Sequence, residues 1–281
     1  MTNTKTIVAG TDGSQPASRA VEWAAADAGR RKRALRIVHV CERWGVPEQT
    51  VSCQESLAAD AERARLAAPG VRVTTELLPG HVVETLLGEA AAAESIVLGS
   101  RGLGGFGALL LGSVGLAVAG HADVPVVIVR EPERPEHGEI VVGIDGSEHS
   151  EAALDYALEQ TLARGVRLHT VHAWQMPVTA PYATGYGDIA DRVAEDTADL
   201  VRKRVARWRD EHGHIEVKES FLCEHPVAAL VDASRTAALV VVGSRGMGGL
   251  ASAVLGSVSH GLLHHAHCPV AVVRPRKDAT G

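Results

Sequence analysis

Ile7-Val8-Ala9-Gly10-Thr11-Asp12-Gly13-Ser14 recurs in the second half of the chain as Ile140-Val141-Val142-Gly143-Ile144-Asp145-Gly146-Ser147. Further on, Gly99-Ser100-Arg101-Gly102-Leu103-Gly104-Gly105 followed by Leu111-Gly112-Ser113-Val114 recurs as Gly243-Ser244-Arg245-Gly246-Met247-Gly248-Gly249 followed by Leu255-Gly256-Ser257-Val258. Matches that recur in the same order mean two copies of one domain. The copies stay in register through Val38-His39 and Val171-His172 and then differ by an insertion in the second copy, placed in the Pro/Gly/Tyr-rich stretch 176–187. The charged, Pro-rich segment 131–138 is the expected linker. The expected domains are therefore residues 1–131 and 138–276.

Within each copy, strand and helix signals alternate. Short branched apolar runs at 6–11, 35–40, 71–77, 96–99 and 124–130 read as strands, with helices over 16–30, about 50–67, 81–93 and 113–121. The second copy gives strands at 140–144, 167–173, 215–222, 239–243 and 269–274. Ser14 and Ser147 stand where a helix N-cap is wanted, and Pro16 fits a first turn. Apolar strands separated by helices predict an α/β fold, with two tandem open parallel five-stranded sheets covered by helices on both faces. Ligands of such sheets bind beyond the carboxyl ends of the strands, near the point where strand order reverses. The glycine loops, Asp12 and Asp145 all fall on that edge.

Composition excludes several classes. The chain has 281 residues, 46% hydrophobic and 22% charged, with a formal charge of −6. That is globular rather than disordered, and it gives no general attraction to nucleic acid. No signal peptide is expected at the N-terminus, and the longest apolar stretch (108–120) is about half of what a membrane span needs. No membrane association is expected, and the cytoplasm is the expected location. The four cysteines, Cys41, Cys53, Cys223 and Cys268, show no C-x-x-C pair or regular spacing, so reduced buried thiols are the expectation. Nothing near Cys223 or Cys268 in sequence lowers a thiol pKa recognisably.

The repeated glycine motif reads Gly99-x-x-Gly102, nine residues, Gly112-Ser113, and again Gly243-x-x-Gly246, nine residues, Gly256-Ser257. Glycines without a Cβ let the backbone leave a strand and approach a ligand closely. The Gly-Ser pair opens a helix whose free N–H groups and dipole favour an anion. The Ser113 and Ser257 hydroxyls are placed either to cap that helix or to donate to a phosphate. Arg101 and Arg245 point either to a phosphate or to solvent. A P-loop is excluded, because no Lys occurs between Lys32 and Lys203. Gly102-x-Gly104-x-x-Gly107 matches a dinucleotide fingerprint, but the run 106–111 separates it from the helix it should open, and the second copy has Ala251 at the third glycine.

With Asp after the first strand, this spaced motif resembles the ATP-binding branch of the universal stress protein family. The resemblance covers both halves of the chain and is similar to the tandem form known in actinobacteria. It implies a Rossmann-like, adenine nucleotide alpha hydrolase-like fold that binds ATP, with Mg2+ accompanying the phosphates. By position, Asp12 and Asp145 would lie beside the ribose or a phosphate-bound metal, and Val40 and Ala173 would meet the adenine through backbone groups. Gly99, Gly102, Gly112, Ser113 and Val114, with Gly243, Gly246, Gly256, Ser257 and Val258, would line the ribose and phosphates. The bland reading of Asp12 and Asp145 is a helix cap or turn carboxylate. The resemblance also implies that the last strands pair the two copies as an intrachain pseudo-dimer or mediate a homodimer, with an unknown protein partner downstream. One carboxylate per copy, with no nucleophile–base pair, favours a binding module over an enzyme, and the resemblance implies a nucleotide-dependent stress-response regulator. A slow ATPase or nucleotidyl-transfer enzyme using the same sites is the alternative.

Other clusters have ordinary readings. His264-His265-Ala266-His267-Cys268 ends a helix, where cationic and polar side chains are favoured, and the first copy has no counterpart. His39 and His172 lie in strands and are expected to be satisfied core or edge residues. The runs 30–33 and 202–204 read as solvated helix faces.

Overall fold

The computed structural model describes all residues except 1–5, 43–44, 104–110, 131–137, 175–185, 213, 248–253 and 276–281. The expected linker and most of the second-copy insertion therefore lie outside the described residues. So do Gly104 and Gly107 of the dinucleotide-like match. The chain divides into two compact units that meet in sequence between Glu131 and Pro132.

The first unit runs β1 (Thr6–Thr11), α1 (Gln15–Arg31), β2 (Ala34–Cys41), α2 (Pro47–Ala67), β3 (Val73–Pro79), α3 (Val82–Ala91), β4 (Ser95–Gly99), α4 (Ser113–His121) and β5 (Val126–Val129). Its strand order is β3-β2-β1-β4-β5, parallel throughout. The second unit runs β6 (Glu139–Gly143), α5 (Glu148–Arg164), β7 (Leu168–Ala173), α6 (Tyr186–His212), β8 (Val217–Leu222), α7 (Pro226–Ala233), β9 (Ala237–Gly243), α8 (Ser257–His265) and β10 (Val270–Val273). Its order is β8-β7-β6-β9-β10, again parallel. The last two residues of the stretch expected as a loop, Tyr186 and Gly187, open α6 instead.

In the first unit α1 and α2 cover one face of the sheet, while α3 and α4 pack together on the other. In the second, α5 and α6 take the first role and α7 and α8 the other. Between the layers, Ile7, Leu35, Ile37, Ile96 and Ile128 are fully buried in one unit, and Ile140, Leu154, Leu168, Leu239 and Leu262 in the other. β3 and β8 depart from the apolar reading, since both are half exposed along their length. Each stands at an end of its unit's strand order, where polar side chains are tolerated.

Local signals set the helix boundaries. Ser14 accepts the Ala17 N–H at 3.4 Å and Ser147 accepts the Ser150 N–H at 3.2 Å, so both serines are N-caps. At the other end α5 stops on Gly165 in the left-handed region (φ 65), whereas α1 stops on Lys32 at φ 53. A non-glycine residue there carries steric cost.

α1 is tied down by charge. The buried Arg31 guanidinium bridges Asp27, at 3.3 Å, and Glu94, both buried. Arg33 Nε reaches the second Glu94 oxygen at 2.6 Å. The corresponding positions of the second unit hold a less charged chain, in which the Gln160 amide donates to Tyr156 and Arg164 donates to Gln160, each at 3.1 Å. Removing one member of a buried ion network strands the others without compensation. Arg31→Ala is thus expected to lower stability by about 3–5 kcal/mol in urea unfolding, whereas Arg164→Ala costs about 1 kcal/mol. Equal losses at the two positions would contradict this reading of the network.

Candidate functional site

In each unit the strand order reverses beside the first strand, between β1 and β4 and between β6 and β9. The connections from these strands leave in opposite directions and open a crevice. A cavity of about 650 Å³ lies there in the first unit, lined by Asp12, Val40, Gly99, Gly102, Gly112, Ser113 and Val114 among others. A cavity of about 400 Å³ occupies the same place in the second, lined by Asp145, Ala173, Gly243, Gly246, Gly256, Ser257 and Val258. Arg101 and Arg245 also line these cavities.

A carboxylate organises each cavity. Asp12 Oδ1 accepts the Ser14 N–H at 3.0 Å, and Oδ2 accepts the Leu103 N–H at 2.7 Å, across the crevice. Asp145 repeats this with the Ser147 N–H at 3.0 Å and the Met247 N–H at 3.0 Å, and adds the Ser147 hydroxyl at 2.6 Å. Burial alone would raise the Asp145 pKa, but these donors outweigh it and hold the carboxyl below its ordinary value. The carboxylates are turn residues and also latches on the glycine loop.

The glycines have a packing reason that the sequence does not report. A Cβ on Gly99 would come within 2.7 Å of the Pro16 backbone, and one on Gly243 within 2.8 Å of the His149 backbone. These glycines admit the first turn of α1 or α5 against the strand end. A Cβ on Gly102 would lie 2.4 Å from Asp12 Oδ2, and one on Gly246 lies 2.3 Å from Asp145 Oδ2. Those two admit the latch carboxylate. None of the four has a positive φ, so close approach rather than backbone freedom requires them.

The chain entering the nine-residue spacer is joined to the chain leaving it. The Gly112 N–H donates to the Ser100 carbonyl at 2.8 Å, and the Gly256 N–H to the Ser244 carbonyl at 2.7 Å. Each loop thus leaves and returns through one hydrogen-bonded neck. Beyond the neck, α4 and α8 begin with Gly112 and Gly256 as N-caps, and neither has a side-chain cap hydrogen bond. Ser113 and Ser257 are already first-turn residues and do not cap, which removes one of the two roles open to them. The first-turn N–H groups of both helices therefore open toward the cavity, with the positive end of the helix dipole behind them.

The far end of each cavity is formed by strand backbone. β1 pairs with β2 as far as Thr11↔His39, and β2 runs on through Val40 and Cys41. β6 pairs with β7 as far as Gly143↔Val171, and β7 runs on to Ala173. Val40 and Ala173 thus offer one backbone edge beyond the shorter neighbouring strand.

Several lining residues of the first cavity carry no motif. Glu42, Gln49, Ser52 and Cys53 come from the end of β2 and from α2, whose approach depends on tertiary packing. Cys41 and Cys53 meet there at 3.0 Å, although their spacing in sequence gives no pairing signal. His39 also lines the cavity, and its Nδ1 is buried without a hydrogen-bond partner. His172 sits 2.8 Å from the Ile144 carbonyl through Nδ1, but its buried Nε2 has no partner. The expectation of satisfied histidines is corrected for one ring nitrogen of each residue. Thr11 donates to the buried Asp60, which also accepts from Ser18 at 2.6 Å, while the matching place in the second unit is the apolar Ile144. Among the described residues no three His, Cys, Asp or Glu side chains gather as a metal site. The His264 ring lies 4.7 Å from His260 and 6.2 Å from His265, at the end of α8.

The description "universal stress protein family" matches residues 3–130 and again 137–274. Universal stress protein Rv1996 of Mycobacterium tuberculosis is 34% identical over 307 residues, covering 97% of this chain and 96% of its own. Universal stress protein Rv2005c of the same organism is 35% identical over 289 residues, covering 95% and 96%. Among solved structures, a universal stress protein from Archaeoglobus fulgidus superposes with a TM-score of 0.71 at 22% identity, covering 97% of this chain and 98% of that one. That last likeness concerns the fold.

Burial pushes the pKa of His39, His149 and His169 down. For His39, Asp12 and Asp60 pull weakly the other way, and for His149, Arg245 and Arg274 add to the fall. Unfolded, each histidine takes up a proton near its ordinary value of about 6.5, and folded, it resists. The unfolded state then binds more protons, so this stability is present above about pH 6.5 and is lost as pH falls below it. The urea midpoint is expected to drop between pH 7.5 and pH 5.5, and His39→Gln to make that drop smaller. A midpoint that stays level or rises on acidification would contradict the assignment.

Proposed function

The chain belongs to the universal stress protein family, and from that premise we propose that each unit is a cradle for ATP and that the protein is a cytoplasmic, nucleotide-dependent regulator of the stress response. The observation that carries this reading is the repeated junction of an uncapped helix N-terminus, a necked glycine loop and a latching carboxylate. Such a junction favours an anion with several acceptor oxygens, because N–H donors and the helix dipole converge on it. A triphosphate would lie along 112–114 and 256–258, with Arg101 and Arg245 at hand. The ribose would lie against Gly99, Gly102 and Asp12, or against Gly243, Gly246 and Asp145. Adenine would reach the free backbone edge at Val40 and Ala173.

The volumes agree with this reading, since small-molecule sites span roughly 300–1,000 Å³. Mg2+ would come with the phosphates, and the carboxylates lining the cradles, Asp12 with Glu42 and Asp145, are what it would meet. Mg2+ keeps several waters and commonly takes one or two protein carboxylates beside the phosphates, which suits so sparse a donor set. The reading is a binding module, because occupancy alone can shift the population of a partner-binding shape.

Calorimetry with ATP and Mg2+ tests it. Two nucleotides per chain are expected, with Kd of about 1 μM, or roughly −8 kcal/mol each. Gly102→Val pushes Asp12 off the Leu103 N–H and is expected to remove the first site alone, and Gly246→Val the second alone. Thermal unfolding of the variants checks that the fold survives. Folded wild-type protein that takes up no adenine nucleotide would refute the proposal.

A further inference from the structure

The wall of the first cavity contains a pair of thiols that the nucleotide reading does not use. Cys41 closes β2 and is buried; Cys53 projects from α2 and is half-buried. The Cys53 thiol donates to Cys41 Sγ at 3.0 Å, and both residues line the cavity. The second unit has Trp174 in the place of Cys41, and neither Cys223 nor Cys268 lines either of the two cradles. The pair is therefore peculiar to one cradle.

We propose that Cys41 and Cys53 form a redox modification site, oxidised to a disulfide by a hydroperoxide, and that a nucleotide in the first cradle shields it. The second half of this rests on the ATP reading above. The sulfurs need to approach by about 1 Å to reach the bond length near 2.05 Å, a shift within reach of side-chain rotation and a small movement of α2. One thiolate attacks the peroxide O–O bond, giving a sulfenic acid and, after protonation, one water (an alcohol from an organic peroxide). The second thiol attacks that sulfur, forms the S–S bond and expels a second water, so the peroxide takes up both electrons and both protons.

Burial, with the neighbouring Cys41, pushes the Cys53 thiol up to about 11. Little Cys53 thiolate is present at neutral pH, so attack from that sulfur is slow. Access then decides the outcome. An empty cavity lets peroxide reach both sulfurs, and a filled one does not. The site would report oxidative conditions only in chains whose first cradle is empty.

The test uses the full chain carrying Cys223→Ser, which removes the exposed thiol as a route to intermolecular linkage. Hydrogen peroxide is added, free thiols are alkylated and the peptides are mapped by mass. The expected result in ligand-free protein is a Cys41–Cys53-linked peptide lighter by two hydrogens, absent from Cys53→Ser and reversed by reductant. Failure of that link to form overturns the proposal. With ATP and Mg2+ at ten times Kd, only about one cradle in eleven is empty, so linkage is expected to slow about tenfold. An unchanged rate in protein that calorimetry shows to be loaded overturns the shielding. If calorimetry shows no nucleotide bound, the ATP reading fails, and the thiol pair stands or falls on the linked peptide alone.

Discussion

Each unit is organised by a carboxylate that reaches across the point where its sheet reverses direction. Asp12 holds the Leu103 N–H, and Asp145 holds the Met247 N–H. One oxygen of each carboxylate fixes the turn into the first helix, and the other fixes the loop after the fourth strand of the unit. That single contact explains the glycines at 102 and 246, where a Cβ would collide with the carboxylate. It also brings the neck at 100 and 112, or 244 and 256, into line with the open start of the following helix. Without the latch, the helix N-terminus would remain a local feature with nothing facing it.

The two cradles share this frame and differ in what surrounds it. The first has His39, Cys41, Glu42 and Cys53 in its wall and a buried Thr11–Asp60 contact beside it. The second puts Ile144 at the place of Thr11 and Ala173 at that of Val40. Divergence concentrates at the strand ends and on α2, whereas the latch and the neck are unchanged. Duplication would have this result if the anion-holding frame is common and the surrounding wall is free to specialise. Within this chain the frame is what the two units share, and the wall is where they differ.

The fold was legible because its signals are local. The repeat reveals two units, apolar runs reveal the strands, and Ser14 and Ser147 mark helix starts that the structure confirms as caps. The lining of the crevice was legible because the motif residues sit at strand and helix ends, which topology brings together. The reason for the glycines was not, since it depends on the Pro16 and His149 backbones and on a carboxylate distant in sequence. Nor was the meeting of Cys41 with Cys53 or of Thr11 with Asp60, because nothing in sequence reports how α2 lies on β2 and β3. His39 and His172 read as ordinary strand residues, and nothing in sequence reports the unpartnered nitrogen of each ring. The half-exposed β3 and β8 needed the strand order before their polarity made sense.

The central claim is that the latched frame holds an adenine nucleotide. The most direct measurement is mass spectrometry of the small molecules released when the chain, purified without added nucleotide, is denatured. ATP or its hydrolysis product is expected from the wild-type protein and from neither glycine site once Gly102 and Gly246 are both replaced. Release of a different ligand class from the wild type, or of the same nucleotide from the double variant, would contradict the account.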